Sequence, residues 1–130
     1  MENSKPHYDV VAAVIRHEGR MFCVQRGQTK YPYTSYKFEF PGGKIEEGES
    51  DQEALLREIQ EELKVEIKVG PRLKIINHEY PDFTVTIKFY RCSLVSDTIQ
   101  LSEHIKGVWL TPIESLKLDW VEADKGVIGT

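Results

Sequence analysis

Three closely spaced glutamates are the residues of this sequence whose types and spacing most directly suggest chemistry. Glu58, Glu61 and Glu62 fall within "LLREIQEELKVE", residues 55–66, which has the pattern of a helix. Like charges three and four residues apart destabilise a helix by roughly 0.2–0.5 kcal/mol per pair. Carboxylates are hard oxygen donors, and since no His or Cys lies nearby, the cluster favours Mg²⁺ or Mn²⁺ over zinc. Because Mg²⁺ keeps coordination positions for phosphates, the cluster predicts a phosphate-containing substrate.

A glutamate-rich helix face is more often simply solvated, but the surroundings of this one favour a site. Arg57 lies next to the cluster and can fix the carboxylates by charge-assisted hydrogen bonds. The preceding segment, "PGGKIEEGES", residues 41–50, contains glycines that allow the backbone to approach a ligand closely. Together these features predict a ligand site along one face of the helix.

The segment "GGKIEEGESDQEALLREIQEELKV", residues 42–65, resembles the Nudix box, which is Gly, five residues, Glu, seven residues, then Arg-Glu-apolar-x-Glu-Glu-x-Gly-apolar. The matching positions are Gly43, Glu49, Arg57, Glu58, Ile59, Glu61, Glu62 and Val65. Lys64 departs from the pattern, because the family has Gly there to end the helix in the left-handed conformation. The segments "KFEFPGGKIE", "HEYPDFTVTI" and "ADKGVI" and the spacing from Glu103 to Trp109 resemble the MutT-like branch of the family. They extend the likeness from about residue 9 to residue 128.

This resemblance implies the Nudix α/β/α sandwich, an α/β fold in which a mixed β-sheet lies between helices and the box forms a loop–helix–loop. It also implies an enzyme that converts a nucleoside triphosphate and water into the monophosphate and pyrophosphate. Mg²⁺ is the implied cofactor, with Mn²⁺ as a substitute. The implied metal ligands are the carbonyl of Gly42 and the carboxylates of Glu58, Glu61, Glu62 and Glu103. Glu103 binds metal or serves as general base in this interpretation, and an exposed loop side chain is the alternative.

The same resemblance implies roles for the other charged residues around the cluster. Glu58 orients or deprotonates the attacking water, and Arg57 holds Glu58 and Glu49 by charge-assisted hydrogen bonds. Lys44 is placed to steady the leaving phosphate. Arg26 reaches a phosphate or the base, with a surface position as the alternative.

Asp124, within the closing segment "ADKGVI", is the residue that the resemblance places against the nucleobase. An ionised Asp only accepts hydrogen bonds, so it favours a donating edge such as the N4 amino group of cytosine, although the N1 and N2 hydrogens of guanine also fit. Similarity to CTP pyrophosphohydrolases favours CTP, dCTP and modified cytosine nucleotides. Tyr80 and Phe83 are candidates for stacking on the base or for packing. The alternative role for Asp124 is to cap a terminal helix.

Other functions are compatible with the same sequence. Hydrolysis of 8-oxo-dGTP is the main alternative, although the enzymes that act on oxidised guanine carry Asn where this chain has Asp124. The box recognises only a diphosphate, so nucleotide sugars, ADP-ribose and dinucleoside polyphosphates are further alternatives. A non-catalytic Nudix-fold sensor is disfavoured because all the box glutamates are present, and the motif spacing disfavours an acidic interaction module without metal.

Composition and charge set the class of protein. With 130 residues, of which 40% are hydrophobic and 29% charged, the chain is expected to form one domain over residues 1–130. The net charge of −4 disfavours nucleic-acid polymers as partners. The partner implied by the resemblance is a small-molecule nucleotide, and the protein is expected to be a monomer or homodimer. No apolar run suits a signal peptide or membrane span, and Cys23 and Cys92 are expected to be buried reduced thiols. A cytoplasmic location is therefore expected.

The elements that must position these residues follow from the hydrophobic pattern. Two strands joined by a turn at residues 18–19 lead to a polar loop, residues 27–36, and to a short strand that the "PGG" of residues 41–43 stops. A helix is predicted from residue 50 to about residue 63, with Leu56 on its apolar stripe. Strands are predicted over residues 65–69, 73–80, 83–95 and 107–110, and a short terminal helix within residues 121–128.

Overall fold

A computed structural model describes residues 5–96 and 98–128 of the chain. The elements in these ranges are β1 (His7–His17), β2 (Arg20–Gln25), β3 (Phe38–Glu39), β4 (Gly42–Lys44), α1 (Asp51–Leu63), β5 (Ile67–Glu79), β6 (Thr84–Leu94), β7 (Lys106–Leu110), α2 (Pro112–Ser115) and a 3₁₀ turn (Glu122–Asp124). Among these described residues, no helix is both long enough and apolar enough to cross a membrane.

The strands form a mixed sheet, as the sequence predicted. Their order is β3–β2–β1–β6–β5, with β4 also paired to β1 and β7 to β2. In the described ranges β1 and β6 run parallel, whereas the other named pairs are antiparallel. Residues 11–15 of the central strand β1 are buried, because layers cover both faces of the sheet there. This position explains their continuous apolar run.

Two layers cover the sheet and give the α/β sandwich predicted from the sequence. On one face, α1 packs its buried residues Leu55, Ile59 and Leu63 against the sheet. On the other face, the C-terminal segment contributes Trp120 and Val127, each 1% exposed. These contacts hold α1, the helix that carries Glu58, Glu61 and Glu62, beside the central strand β1.

The short strand β3 ends before the "PGG" stretch, as predicted, but a further strand, β4, begins within that stretch and was not predicted. The carbonyl of Pro41 accepts a hydrogen bond of 2.8 Å from the N–H of Ala13, and β4 pairs with β1 directly afterwards. A Cβ on Gly42 would lie 2.0 Å from the carbonyl oxygen of Val11, so only glycine permits this approach. Pairing with the central strand therefore overrides the local turn signals.

Three other features also differ from their predictions. The strands predicted over residues 65–69 and 73–80 are one strand, β5, whose register against β6 shifts on both sides of Arg72. Such β-bulges accommodate residues that break the regular alternation. The terminal helix is reduced to a 3₁₀ turn. Leu56 is 36% exposed, since it lies at the margin of the helix face that α1 buries.

Local residues fix both ends of α1. The Ser50 hydroxyl accepts a hydrogen bond from the N–H of Glu53, whose carboxylate accepts one from the N–H of Ser50. This reciprocal capping box starts the helix at the predicted residue. At the other end Lys64 has φ 57° and ψ 35°, and its N–H donates to the carbonyl of Gln60. The helix therefore ends at Lys64 in the left-handed conformation, at the position where the Nudix box has glycine.

We expect Lys64→Gly to stabilise the protein by up to about 1 kcal/mol, because glycine adopts the left-handed conformation without the steric penalty of a Cβ. Turnover should not change, since no proposed ligand is removed. Lys64→Ala is the control, because alanine retains the Cβ and should bring no comparable gain. Equilibrium unfolding by urea measures both variants, and a less stable Lys64→Gly protein would contradict the expectation.

Candidate active site

Most of the predicted site residues line one open cavity of about 610 Å³. Its walls come from β1, the β3–β4 segment, α1, the loop after β2 and the C-terminal segment. The predicted residues that line it are Arg26, Gly42, Lys44, Glu58, Glu62, Tyr80, Phe83, Glu103 and Asp124. Arg57 and Glu61 are not among the residues that line it. Glu58, Glu62, Glu103 and Lys44 therefore line the same cavity as the residues predicted to bind the base.

Arg57 connects α1 to the segment before it. Its Nε and Nη2 donate to the two carboxylate oxygens of Glu49, at 2.6 and 2.9 Å, and Nη1 donates to Glu58 at 3.1 Å. A further bond of 3.0 Å runs from Nη2 to the carbonyl of Lys44. These hydrogen bonds from Arg57 lower the pKa of Glu49 to about 2. The predicted contacts of Arg57 with Glu49 and Glu58 are thus present in the structure.

Glu58 is packed beneath the backbone of β4. A Cβ on Gly43 would lie 2.4 Å from Cδ of Glu58, so the glycine provides the space that this carboxylate occupies. Burial raises the pKa of Glu58, while the guanidinium of Arg57 opposes that rise. Glu58 is therefore a carboxylate whose affinity for a proton is higher than normal and whose orientation is fixed.

Glu62 lies further into the cavity and contacts the backbone of β4. Its Oε1 accepts a hydrogen bond of 3.0 Å from the N–H of Gly42. In an antiparallel strand the N–H and the C=O of one residue point to the same edge of the strand. Because the N–H of Gly42 points to Glu62 on α1, its carbonyl is also expected to point away from β1. Burial, followed by the charge of Glu39, raises the pKa of Glu62 to about 8.

The two remaining acidic candidates are more peripheral. The side chain of Glu61 is 59% exposed and meets Arg57 Nη1 at 3.4 Å. Glu103 is exposed but lines the cavity, and its charge contributes to the raised pKa of both Glu58 and Glu62. In the described part of the chain, no three carboxylate, imidazole or thiolate side chains converge closely enough to hold a metal ion. Joint coordination would therefore require side-chain rotation.

Asp124 forms the buried polar end of the cavity. It is 3% exposed, and its Oδ2 accepts a hydrogen bond of 2.8 Å from the N–H of Phe40. Its side chain does not cap the 3₁₀ turn, so the capping alternative is wrong. Burial and then the charge of Glu39 raise the pKa of Asp124 well above its normal value, whereas Arg26 opposes the rise. Burial therefore shifts this carboxyl group toward its neutral form, whereas the sequence analysis assumed the ionised form.

An aromatic cluster forms the side of the cavity next to Asp124. Tyr80 accepts a hydrogen bond of 3.0 Å at its hydroxyl from the N–H of Ala123, and its ring centroid lies 4.9 Å from that of Phe83. Tyr33 stacks on Tyr80 at 5.3 Å and on Tyr31 at 5.1 Å. Tyr31 lines the cavity, so the loop after β2 supplies an aromatic wall that sequence patterning did not reveal.

Glu39 and His104 are cavity residues that the sequence analysis missed. Glu39 Oε2 accepts a hydrogen bond of 3.0 Å from Nε2 of His104 and lies 3.5 Å from Nε of Arg26. The side chain of His104 is only 6% exposed. Arg26, predicted to reach a phosphate or the base, thus lies against a carboxylate at the cavity wall. The available signal was the position of Glu39 just before the glycine-rich segment.

Comparisons of sequence and structure show which known proteins this chain resembles. The family model of the NUDIX domain matches residues 5–128. The chain is 34% identical to CTP pyrophosphohydrolase of Escherichia coli (strain K12) over 119 residues, which cover 89% of this chain and 84% of that protein. It is 42% identical to 8-oxo-dGTP diphosphatase of Proteus vulgaris over 95 residues, which cover 69% of this chain and 78% of that protein. The crystal structure of MutT protein from Methanosarcina mazei Go1 matches with a TM-score of 0.82 and 28% identity, over 95% of this chain and 91% of that chain.

Proposed function

We propose, since this chain belongs to the Nudix family and is a nucleotide pyrophosphohydrolase of that family, that its substrates are nucleoside triphosphates and that it prefers CTP and dCTP. The observation that carries this proposal is that one cavity is lined both by carboxylates with a lysine and by a buried carboxyl group with aromatic rings. Glu58, Glu62 and Lys44 lie among the lining residues suited to phosphates, and buried Asp124 with Tyr80 lies among those suited to a base.

The residues of the cavity fit a divalent cation. Nudix hydrolases need a divalent metal, and Mg²⁺ is the ion we propose, with Mn²⁺ as a substitute. The donors are hard oxygens, and burial alone disfavours ionised Glu58 and Glu62, so a cation would offset a penalty that the protein otherwise bears. When bound, the ion neutralises phosphate charge and lowers the pKa of water. The residues that would hold it are Gly42 through its carbonyl and Glu58, Glu61, Glu62 and Glu103 through their carboxylates.

The remaining steps belong to the side chains. Glu58 orients the attacking water and accepts its proton, a role suited to a carboxylate whose pKa is raised. The water oxygen forms a bond to phosphorus while the bond from that phosphorus to the departing pyrophosphate oxygen breaks. Lys44 provides positive charge to the departing oxygen. Arg57 fixes the rotamer of Glu58, so the proton acceptor keeps its place during the reaction.

The hydrogen-bonding groups of Asp124 favour cytosine as the base of the preferred substrate. Its Oδ2 is used by the N–H of Phe40, and no hydrogen bond to Oδ1 is found within residues 5–96 and 98–128. A neutral carboxyl group offers a donor as well as acceptors, which complements the adjacent N4 amino group and N3 of cytosine. Tyr80 and Phe83 provide apolar ring surface beside this group.

Hydrolysis of 8-oxo-dGTP is the second candidate function. The protein of Proteus vulgaris named 8-oxo-dGTP diphosphatase is the more identical of the two relatives described above, although over a shorter segment. A neutral Asp124 presents the same donor and acceptor types as an asparagine amide, so burial reduces the difference from the family members that carry Asn there. Direct comparison of the two substrates is therefore the decisive test.

We expect kcat/KM of the unmutated protein to be higher for CTP or dCTP than for 8-oxo-dGTP. In Asp124→Asn the ratio of these two kcat/KM values should fall by roughly tenfold, which would narrow or reverse the preference. Asparagine keeps the shape of the side chain, but its oxygen would have to accept the hydrogen bond from the N–H of Phe40. The amide nitrogen, which only donates, would then take the place of Oδ1, which can accept. Asp119→Asn is the control, because Asp119 is exposed and paired with Lys37 outside the cavity lining. Pyrophosphate release measures all three proteins. A higher kcat/KM for 8-oxo-dGTP in the unmutated protein would replace the cytosine assignment with the second candidate.

A further inference from the structure

The ammonium group of Lys44 rests on an aromatic ring. Its Nζ lies 4.0 Å from the ring centroid of Tyr8, within the range of a cation–π interaction. The register of the sheet explains the contact, since Lys44 on β4 pairs with Val10 on β1. Tyr8 is two residues from Val10 and on the same face of the strand, so the two side chains are diagonal neighbours.

The two ends of Lys44 are held in different ways. Its carbonyl accepts a hydrogen bond of 3.0 Å from Nη2 of Arg57, which fixes the backbone. Among the ion pairs found within the described ranges, none involves the ammonium of Lys44. Nζ of Lys44 instead contacts the neutral ring of Tyr8.

This choice of partner matters for the charge in the cavity. A carboxylate partner would neutralise Lys44 and compete with a phosphate, whereas an aromatic face attracts the ammonium without cancelling its charge. The ammonium also keeps N–H donors for an anion. A free lysine side chain loses rotamer entropy when it is fixed, so restricting Lys44 before substrate binds favours the bound arrangement.

The ring of Tyr8 is itself supported by its neighbours. It meets Phe83 at a centroid distance of 5.6 Å and an interplanar angle of 59°. Val85 is its partner on β6, on the same face of the sheet. Both Tyr8 and Lys44 line the cavity. The ring is therefore fixed by packing on one side and available to the lysine on the other.

We propose that Tyr8 is a positioning residue that holds the ammonium group of Lys44 in place within the cavity that Glu58 and Glu62 also line. This inference rests on the proposed function, in which Lys44 contacts the departing pyrophosphate. It assigns Tyr8 a contribution through Lys44 and none through direct contact with the reacting atoms.

A double-mutant cycle tests the kinetic part. Tyr8→Leu, which removes the π face, should lower kcat/KM about fivefold, whereas Tyr8→Phe, which keeps it, should stay within about twofold of wild type. In a Lys44→Met background Tyr8→Leu should cause no further loss. An equal loss from Tyr8→Leu in both backgrounds, or an equal loss from Tyr8→Phe, would overturn the proposal.

An NMR measurement tests the contact without relying on activity. The ε-methylene protons of Lys44 should be shifted upfield by the ring in the wild-type protein and in Tyr8→Phe, and should return toward ordinary lysine positions in Tyr8→Leu. Ordinary lysine shifts in the wild-type protein would refute the positioning of Lys44 by Tyr8, even if Tyr8→Leu fails to fold. If wild-type protein releases no pyrophosphate from any nucleoside triphosphate, the proposed function fails, and the NMR result still decides on the contact.

Discussion

Glu62→Gln is expected to lower kcat by about 10³-fold while leaving the metal-free fold intact. The amide oxygen can still accept the hydrogen bond that Gly42 N–H donates at 3.0 Å, so the helix and β4 keep their contact. What is lost is a negative charge that the proposed divalent ion needs. Turnover at saturating Mg²⁺ and calorimetric titration of Mg²⁺ measure the two effects, and Mg²⁺ binding should weaken together with kcat.

The same substitution should make the metal-free protein more stable at alkaline pH. The pKa of Glu62 is raised to about 8 in the folded protein, so between about pH 4.5 and pH 8 the folded state binds more protons than the unfolded state. Metal-free wild-type stability should consequently fall as pH rises through this window. Glu62→Gln removes that dependence, with a gain on the order of 2 kcal/mol at pH 8 to 9. Unfolding by urea in the presence of EDTA measures it.

Glu47→Gln is the matched control for both measurements. Glu47 is an exposed glutamate that precedes α1 and does not line the cavity. It should leave kcat and the pH dependence of stability unchanged. Near-wild-type turnover in Glu62→Gln would contradict the proposed role of Glu62 as a metal ligand. Loss of stability at alkaline pH would contradict the electrostatic reasoning instead.

Local patterns in the sequence were sufficient for the helix and its ends. The capping residue Ser50 and the left-handed Lys64 both follow from short-range rules, since a cap or a helix terminus depends on residues within about one turn. The spacing of Glu58 and Glu62 likewise sets them on one face of the helix, which the structure turns toward the cavity.

Contacts between distant residues could not be predicted in the same way. Glu39 and His104 are 65 positions apart in the chain, and nothing in the local pattern of either residue indicates their hydrogen bond. The aromatic wall has the same origin, because Tyr31 reaches the cavity through stacking on Tyr33, which stacks in turn on Tyr80. The neutral tendency of Asp124 arises from burial, which a single sequence does not reveal.

The strand β4 shows how tertiary pairing overrides local signals. The residues Pro41 and Gly42 predict a stop, yet the central strand β1 offers free backbone groups that this segment can satisfy. This pairing positions two groups of the candidate site, because β4 places Gly42 against Glu62 and Lys44 against Tyr8. A breaker in the sequence therefore becomes the segment that brings the backbone to the carboxylates.

Arg57→Lys is expected to lower kcat by about 10²-fold and to destabilise the protein by about 2–3 kcal/mol. A guanidinium donates at once to both oxygens of Glu49, to Glu58 and to the carbonyl of Lys44, whereas one ammonium cannot reach all of these groups. Glu58 would then be free to rotate, and a misplaced proton acceptor slows the reaction. Steady-state turnover and urea unfolding at neutral pH measure the two losses.

The pH dependence of this destabilisation identifies its origin. The pKa of Glu49 is lowered to about 2 mainly by hydrogen bonds from Arg57, so its stabilising effect is present above about pH 4.5 and is lost as pH falls toward 2. The stability difference between wild type and Arg57→Lys should therefore narrow over that acid range. Arg20→Lys is the control, since Arg20 is exposed and lies outside the cavity lining, and should match wild type throughout. A difference that stays constant from pH 6 to pH 2 would show that lost packing around Arg57, and not its pairing with Glu49, destabilises the variant.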